Sequence, residues 1–300
     1  MAASRWAQGR KLKMKKAKIG FLGGGNIARS LISGLVKDGT DPSTLLVADR
    51  HPEKLADLSA LYGVNIFNDI LEVTKRANIL ILAIKPINFE NLCRDIRPTL
   101  HELSSQNGHP SRPVIISLAT GITIRDMTAW LGGHFPIIRA MPNTPSMLQA
   151  GATGLFANDE TSSAERQMAE KIMRSVGITA WLEKEEDIEA IIAIAGSAPA
   201  YYFRMMELMQ EIAEEMGIAP DIAKLFITQT LFGAGKMALE SPRPLAELRA
   251  QVTSKGGTTH AALQALENGG FKDLLQKALS AARHRGFEIG EEYGVNRKLK

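Results

Sequence analysis

Residues 18–35 constrain the chain most strongly. A short apolar run, Ile19 to Leu22, reads as a buried strand, and three glycines, Gly23 to Gly25, follow it directly. A helical pattern comes next, in which Ile27, Leu31, Ile32 and Leu35 share one face. Strand, glycine turn and helix in this order open a dinucleotide-binding βαβ unit. The spacing is Gly23-x-Gly25-x-x-Ala28. Gly23 permits the tight turn, Gly25 lets the backbone approach a pyrophosphate, and Ala28 takes the close-packing third position. Asn26 and Ile27 begin the helix, so their N–H groups and the positive helix end face the phosphates. The plainer alternative is an ordinary glycine-rich connection between a strand and a helix.

Three hundred residues predict two domains, and an apolar fraction of 45% is ample for their cores. One cysteine, Cys93, excludes an intrachain disulfide and points to a reducing compartment, the cytoplasm. No apolar stretch is long and charge-free enough to span a bilayer, so no membrane role is expected. The formal charge of +4 does not mark a nucleic-acid-binding face. Seven of the positive residues fall within the first eighteen, which contain no acid, and removing them leaves the rest of the chain at −3. Residues 1–17 are therefore read as a disordered basic tail, with no apolar core of a secretory signal.

Further along, Leu45 to Ala48 reads as a strand ending in Asp49-Arg50-His51-Pro52. At this place in a dinucleotide fold the chain meets the adenosine ribose. Asp49 suits the 2′-hydroxyl of NAD and Arg50 the 2′-phosphate of NADP, so the two argue in opposite directions. A helix over 52–61, a strand over 64–67 ending at Asn68, and a helix to Ala77 come next. Ile79 to Ile84 is a near-continuous apolar run, as in a parallel strand covered on both faces, and it stops at Lys85-Pro86. Residues 103–113 read as a loop, Val114 to Leu118 as a strand turning off at Ala119-Thr120-Gly121, and 123–130 as a helix. Phe135 to Ala140 is a strand running into Met141-Pro142-Asn143-Thr144-Pro145, predicted to be a rigid, non-helical loop. Closing strands over 151–156 and 179–182 flank a helix over 161–176. These elements make a doubly wound α/β domain over 18–184. From 185 to 293 the pattern is helical throughout, and 294–300 is a short tail. Helical runs such as 188–195 and 225–238 are too apolar to have only one buried face, which predicts burial against a second copy.

A second glycine stretch interrupts the helical region at Ser254-Lys255-Gly256-Gly257-Thr258-Thr259. One helix breaks there and the next starts at Thr258 or Thr259. Successive N–H groups, hydroxyls and a helix N-terminus thus converge, an arrangement suited to a carboxylate. Threonine capping after a Gly-Gly turn is the alternative.

At this point the chain resembles the pyrroline-5-carboxylate reductase family over nearly its whole length. The motifs are Gly23-Gly-Gly-Asn-Ile-Ala28, Ala83-Ile-Lys-Pro86, Arg139-Ala-Met-Pro-Asn-Thr-Pro145, Gly196-Ser-Ala-Pro-Ala-Tyr201 and Val252-Thr-Ser-Lys-Gly-Gly-Thr-Thr259. The resemblance implies reduction of the ring C=N of Δ1-pyrroline-5-carboxylate to L-proline, with hydride from NADPH, NADH being the second donor, and no metal. It implies that Ser254 and the N–H groups around Gly257 to Thr259 hold the substrate carboxylate, with Thr258 and Gln251 beside them. Thr259 matches a threonine bonded to the ring nitrogen, and His260 is the rival proton donor. Gly23, Gly25, Asn26, Ile27, Ala28, Arg50, Asn68, Ala83, Lys85, Pro86, Ala119, Thr120 and Asn143 match cofactor-contacting positions. The family commonly has Asn before the matching arginine. Asp49 departs from that and sets a charge against a 2′-phosphate. The resemblance further implies homodimers that assemble into larger rings such as decamers. Two other readings share parts of the pattern. A β-hydroxyacid dehydrogenase or related imine reductase has the same two-domain plan, but Pro199-Ala200-Tyr201-Tyr202-Phe203 lacks its catalytic lysine. A non-catalytic nucleotide sensor needs no second glycine stretch.

Overall fold

A computed structural model describes residues 17–105 and 112–295. Most of the basic tail, the middle of the expected loop over 103–113 and the last five residues lie outside the described residues.

The chain builds an eight-stranded sheet in the order β3-β2-β1-β4-β5-β6-β7-β8. The strands are β1 (Ile19–Leu22), β2 (Leu45–Ala48), β3 (Asn65–Phe67), β4 (Ile79–Leu82), β5 (Val114–Ser117), β6 (Ile137–Met141), β7 (Gly151–Ala157) and β8 (Gly177–Trp181). The first six are parallel; β7 runs antiparallel to β6, and β8 pairs parallel to β7. Successive strands from β1 to β6 are joined by crossover helices: α1 (Asn26–Lys37), α2 (Pro52–Tyr62), α3 (Ile70–Arg76), α4 (Phe89–Ser105) and α5 (Ile124–Leu131). The last two strands, β7 and β8, run parallel to each other and are joined by α6 (Ser163–Arg174).

Helices on both faces explain the unbroken apolar strands. Ile19, Phe21, Ile79 and Ile81 belong to one core with Leu31, Leu35 and Met173. Leu22, Leu80, Leu82 and Ile115 belong to a second core with Phe89, Ile96 and Trp130 on the other face. The strand expected to reach Ile84 ends at Leu82, because Pro86 opens a short 3₁₀ turn. The expected non-helical loop after β6 is corrected in part. Residues Thr144–Leu148 form a 3₁₀ helix with Pro145 in its first turn, where a missing N–H costs nothing.

The chain divides into two compact units, Met1–Ser197 with Ala282–Lys300, and Ala198–Ala281. The first unit ends with α7 (Asp187–Ile191) and a π-helical turn, Ile192–Gly196, closed by the Ser197 N–H donating to the Ile192 carbonyl at 2.8 Å. The second unit holds α8 (Ala198–Glu215), α9 (Pro220–Glu240), α10 (Leu245–Gln251) and α11 (Thr258–Asn268). Helix α12 (Phe271–Tyr293) begins in the second unit and finishes in the first. In the helical unit, Phe203, Met209, Leu225, Phe226, Phe232 and Leu239 are 50–75% exposed.

Candidate active site

The first unit gathers the sequence-predicted cofactor residues at the carboxyl ends of its parallel strands. The strand order reverses between β1 and β4, the switch point where open α/β sheets bind ligands. Gly23 occupies that point. Its N–H donates to the Ala48 carbonyl at 2.8 Å, and its φ of +108° is one that side chains rarely adopt. A Cβ there would also overlap the Ala83 carbonyl, so the residue that ends β1 is squeezed between the ends of β2 and β4. Gly25 differs: a Cβ on it would point into open space. That opening lies over the N-terminus of α1, which has no side-chain cap and no acid in its first turn. Asn26 is exposed, Ile27 is half-buried, and Ala28 is fully buried against the sheet. These residues fit a pyrophosphate, because free N–H groups and a positive helix end meet an accessible surface.

Arg50 and Asn68 are exposed just past β2 and β3. Ala83 is half-buried past β4, its N–H donating to the Leu22 carbonyl at 2.8 Å. Lys85 is exposed, and Pro86 begins the 3₁₀ turn beyond it. Ala119 and Thr120 follow β5, and Asn143 follows β6. Arg50 and Lys85 make no ion pair among the described residues, so two cations stand unneutralised at this edge.

Asp49 is occupied otherwise than its position suggests. One carboxylate oxygen accepts the Gly24 N–H at 2.7 Å, and the other accepts the His51 N–H at 2.9 Å and lies 2.7 Å from His51 Nδ1. Burial alone would raise its pKa. The bonds from Gly24 and His51, with the Lys54 charge, outweigh burial and hold the carboxyl below its ordinary value.

Asn143 is also engaged. Its side-chain oxygen accepts the Ala152 N–H at 2.9 Å, and its amide donates to the Ala195 carbonyl at 3.2 Å. It thereby ties the loop after β6 to the π turn, a local geometry common at functional sites. Below it on β6, Arg139 is 2% exposed and bridges Glu185 at 3.2 Å and Glu189 at 3.0 Å. Glu185 also accepts the Ile124 N–H at 2.7 Å. The end of α12 packs on the turn after β5: a Cβ on Gly121 would come 2.6 Å from the Gly290 nitrogen. Sequence reasoning missed Glu185, Glu189 and Gly290. The glycine spacing 286, 290 within α12, continued by Gly294 just past its end, is the signal that could have exposed the last of these.

The second unit carries the other predicted group. Gln251 is exposed at the end of α10. Gly256 has φ +74°, and the Ser254 hydroxyl lies 2.5 Å from where a Cβ on Gly257 would sit. A side chain at Gly257 would therefore displace the Ser254 hydroxyl from this turn. Helix α11 then begins at Thr258 with no side-chain cap and no acid in its first turn. Its first intrahelical bond runs from the Ala261 N–H to the Gly257 carbonyl at 3.1 Å. The N–H groups of Thr258, Thr259 and His260 precede that bond, and the Thr258 and Thr259 side chains are exposed. One turn thus collects hydroxyls and free N–H groups, a chemistry suited to a small anion. Among the described residues no cluster of His, Cys, Asp and Glu is arranged to hold a metal.

A parallel sheet with an open glycine turn at its switch point, followed by a helical unit with its own anion-receiving turn, defines a Rossmann-type, dinucleotide-dependent oxidoreductase. Comparison with known proteins narrows the class. Residues 185–289 match the family model described as pyrroline-5-carboxylate reductase dimerisation, and residues 18–105 match one described as NADP oxidoreductase, coenzyme F420-dependent. A pyrroline-5-carboxylate reductase of Pseudomonas aeruginosa is 36% identical over 281 residues, covering 94% of this chain and 100% of that one. The solved structure of a pyrroline-5-carboxylate reductase from Coxiella burnetii superposes with a TM-score of 0.84 at 41% identity, covering 91% of this chain and 98% of that one. The Plasmodium falciparum enzyme, solved with NADP bound, shares the fold at a TM-score of 0.79 and 24% identity over 92% and 99% of the two chains. The chain belongs to the pyrroline-5-carboxylate reductase family.

Proposed function

We propose that this chain reduces the C=N bond of Δ1-pyrroline-5-carboxylate to L-proline, with NADPH as the preferred hydride donor and NADH as the second. The observation that carries the substrate half is the turn over 254–259, where the Ser254 hydroxyl lies over Gly257 and the following helix starts uncapped. In this reading the Ser254 hydroxyl and the N–H groups of Thr258 and Thr259 hold the carboxylate, with Gly257, whose N–H donates to the Ser254 carbonyl at 3.0 Å, closing the turn and Gln251 at the border. The Thr259 hydroxyl bonds the ring nitrogen and supports its proton. A protonated imine is already electrophilic, so orientation suffices, and it can lower a barrier by about 7–11 kcal/mol. The bound dinucleotide supplies the hydride. Gly23, Gly25, Asn26, Ile27 and Ala28 receive its pyrophosphate and Arg50 its 2′-phosphate. Asn68, Ala83, Lys85, Pro86, Ala119, Thr120 and Asn143 complete the cofactor surface, with Asn143 using its backbone and its remaining amide hydrogen.

The match of 185–289 to a dimerisation model and the exposed apolar side chains of α8 and α9 support a homo-oligomer. We take it to be a dimer that assembles further, to a decamer, in the cytoplasm; the single, buried Cys93 is consistent with a reducing compartment. The test of activity follows loss of reduced-cofactor absorbance with pyrroline-5-carboxylate and NADPH or NADH. Turnover is expected with both and faster with NADPH. Folded protein that turns over with neither would defeat the assignment. Sedimentation equilibrium separates dimer from decamer.

A further inference from the structure

By position Asp49 is the residue that bonds a ribose 2′-hydroxyl in many NAD enzymes. Its side chain is 9% exposed, and both oxygens are engaged within the protein. One holds Gly24, in the middle of the phosphate-binding turn, and the other holds His51, the residue that opens α2. A single carboxylate therefore joins the segment at His51 to a turn that lies 25 residues before Asp49 in the sequence. What remains exposed at the end of β2 is cationic. Arg50 has no ion pair among the described residues, and Lys54 Nζ lies 3.5 Å from His51 Nδ1. Glu53 is the acid in the first turn of α2.

We propose that Asp49 is a positioning residue. It sets the glycine turn and the N-terminus of α2 in register, and it leaves the choice of cofactor to Arg50, so that a dinucleotide bearing a 2′-phosphate is favoured despite the acid beside it. The N–H groups of Gly24 and His51 satisfy the carboxylate oxygens within the protein, so that the charge is held by internal charge-assisted bonds. The inference rests on the dinucleotide reading above.

The test is titration calorimetry of two probes that differ only in the 2′-phosphate, 2′,5′-ADP and 5′-AMP. The wild type should bind 2′,5′-ADP about tenfold or more tightly than 5′-AMP, the scale of one charge-assisted contact. Arg50→Ala should bring the ratio close to one while 5′-AMP binding persists. Asp49→Asn should weaken both probes by a similar factor and leave the ratio within about twofold, as loss of a shared support does. A rise of several-fold in the ratio for Asp49→Asn would make Asp49 a repelling ribose neighbour and overturn the proposal. So would unchanged affinity for both probes. Should Asp49→Asn fail to fold, Arg50→Ala on the exposed surface and hydrogen exchange at the wild-type Gly24 amide still decide. A retained ratio in Arg50→Ala, or a fast-exchanging Gly24, would refute it. Wild-type protein that binds neither probe would defeat the dinucleotide reading itself, whereas binding without discrimination would defeat only this proposal.

Discussion

Replacing Arg139 by methionine tests the buried support of the strand that leads to Asn143. Arg139 and Glu189 have side chains only 2% and 4% exposed, and their contact is 3.0 Å. Arg139→Met leaves Glu189 without a partner at one oxygen, and its other oxygen already lacks one among the described residues. Stranding a buried charge in this way costs about 3–5 kcal/mol. For a unit of this size each kcal/mol moves Tm by roughly 2–4 °C, so the loss should be about 6–20 °C. Converting the pair to Arg139→Met/Glu189→Met removes the stranded charge and should recover most of that loss, because an apolar replacement of a buried pair is often neutral. Glu185 remains bonded to the Ile124 N–H and is 27% exposed, so it tolerates the change. The measurement is thermal unfolding without cofactor at one fixed protomer concentration, since self-association shifts Tm. A single substitution that costs less than about 1 kcal/mol, or a double variant no better than the single, would refute the reasoning.

Three further outcomes are expected. Thr259→Ala should lower kcat by roughly 10–100-fold, the scale of a lost bond to a charged group, and His260→Ala by less; steady-state kinetics showing the reverse order would move the proton role to His260. Gly290→Ala places a methyl 2.7 Å from the Gly121 carbonyl and should cost about 1–3 kcal/mol in thermal unfolding, with a higher KM for NADPH as the turn carrying Ala119 and Thr120 shifts. Because the Asp49 carboxyl has its folded pKa depressed below the ordinary 3.8, its contribution is present above that value and is lost as pH falls through the folded one. The Tm gap between wild type and Asp49→Asn should therefore hold steady above about pH 5 and close in more acid solution; a gap that widens with acid would contradict the assigned bonds.

Much of the first unit is readable along the chain because its determinants are local. Gly23 is required by a turn only a few residues long, and Ile79 to Leu82 is apolar throughout because helices cover both faces. The turn at Ser254 to Thr259 is legible for the same reason: glycine, hydroxyl and helix start lie within six residues. Asp49 shows where this logic stops. Its identity and its place after β2 suggest a ribose contact, but its bond to Gly24 exists only once β1 and β2 pair. The π turn over 192–196 has no pattern of its own, since its widened spacing is matched by Asn143, some fifty residues earlier, bonding the Ala195 carbonyl.

The sequence by itself determined a glycine turn between strand and helix, a mostly parallel apolar sheet, a helical second half and a second glycine turn before a helix. Each follows from the conformational range of glycine or from the period of burial over a few residues. Only the tertiary structure decided which way Asp49 faces, that Arg139 is neutralised by Glu185 and Glu189, and that the last helix returns to seat Gly290 against Gly121. Those partners are separated by 25 to 169 residues, and a hydrogen bond or a close glycine contact carries no sequence period by which its distant half can be read.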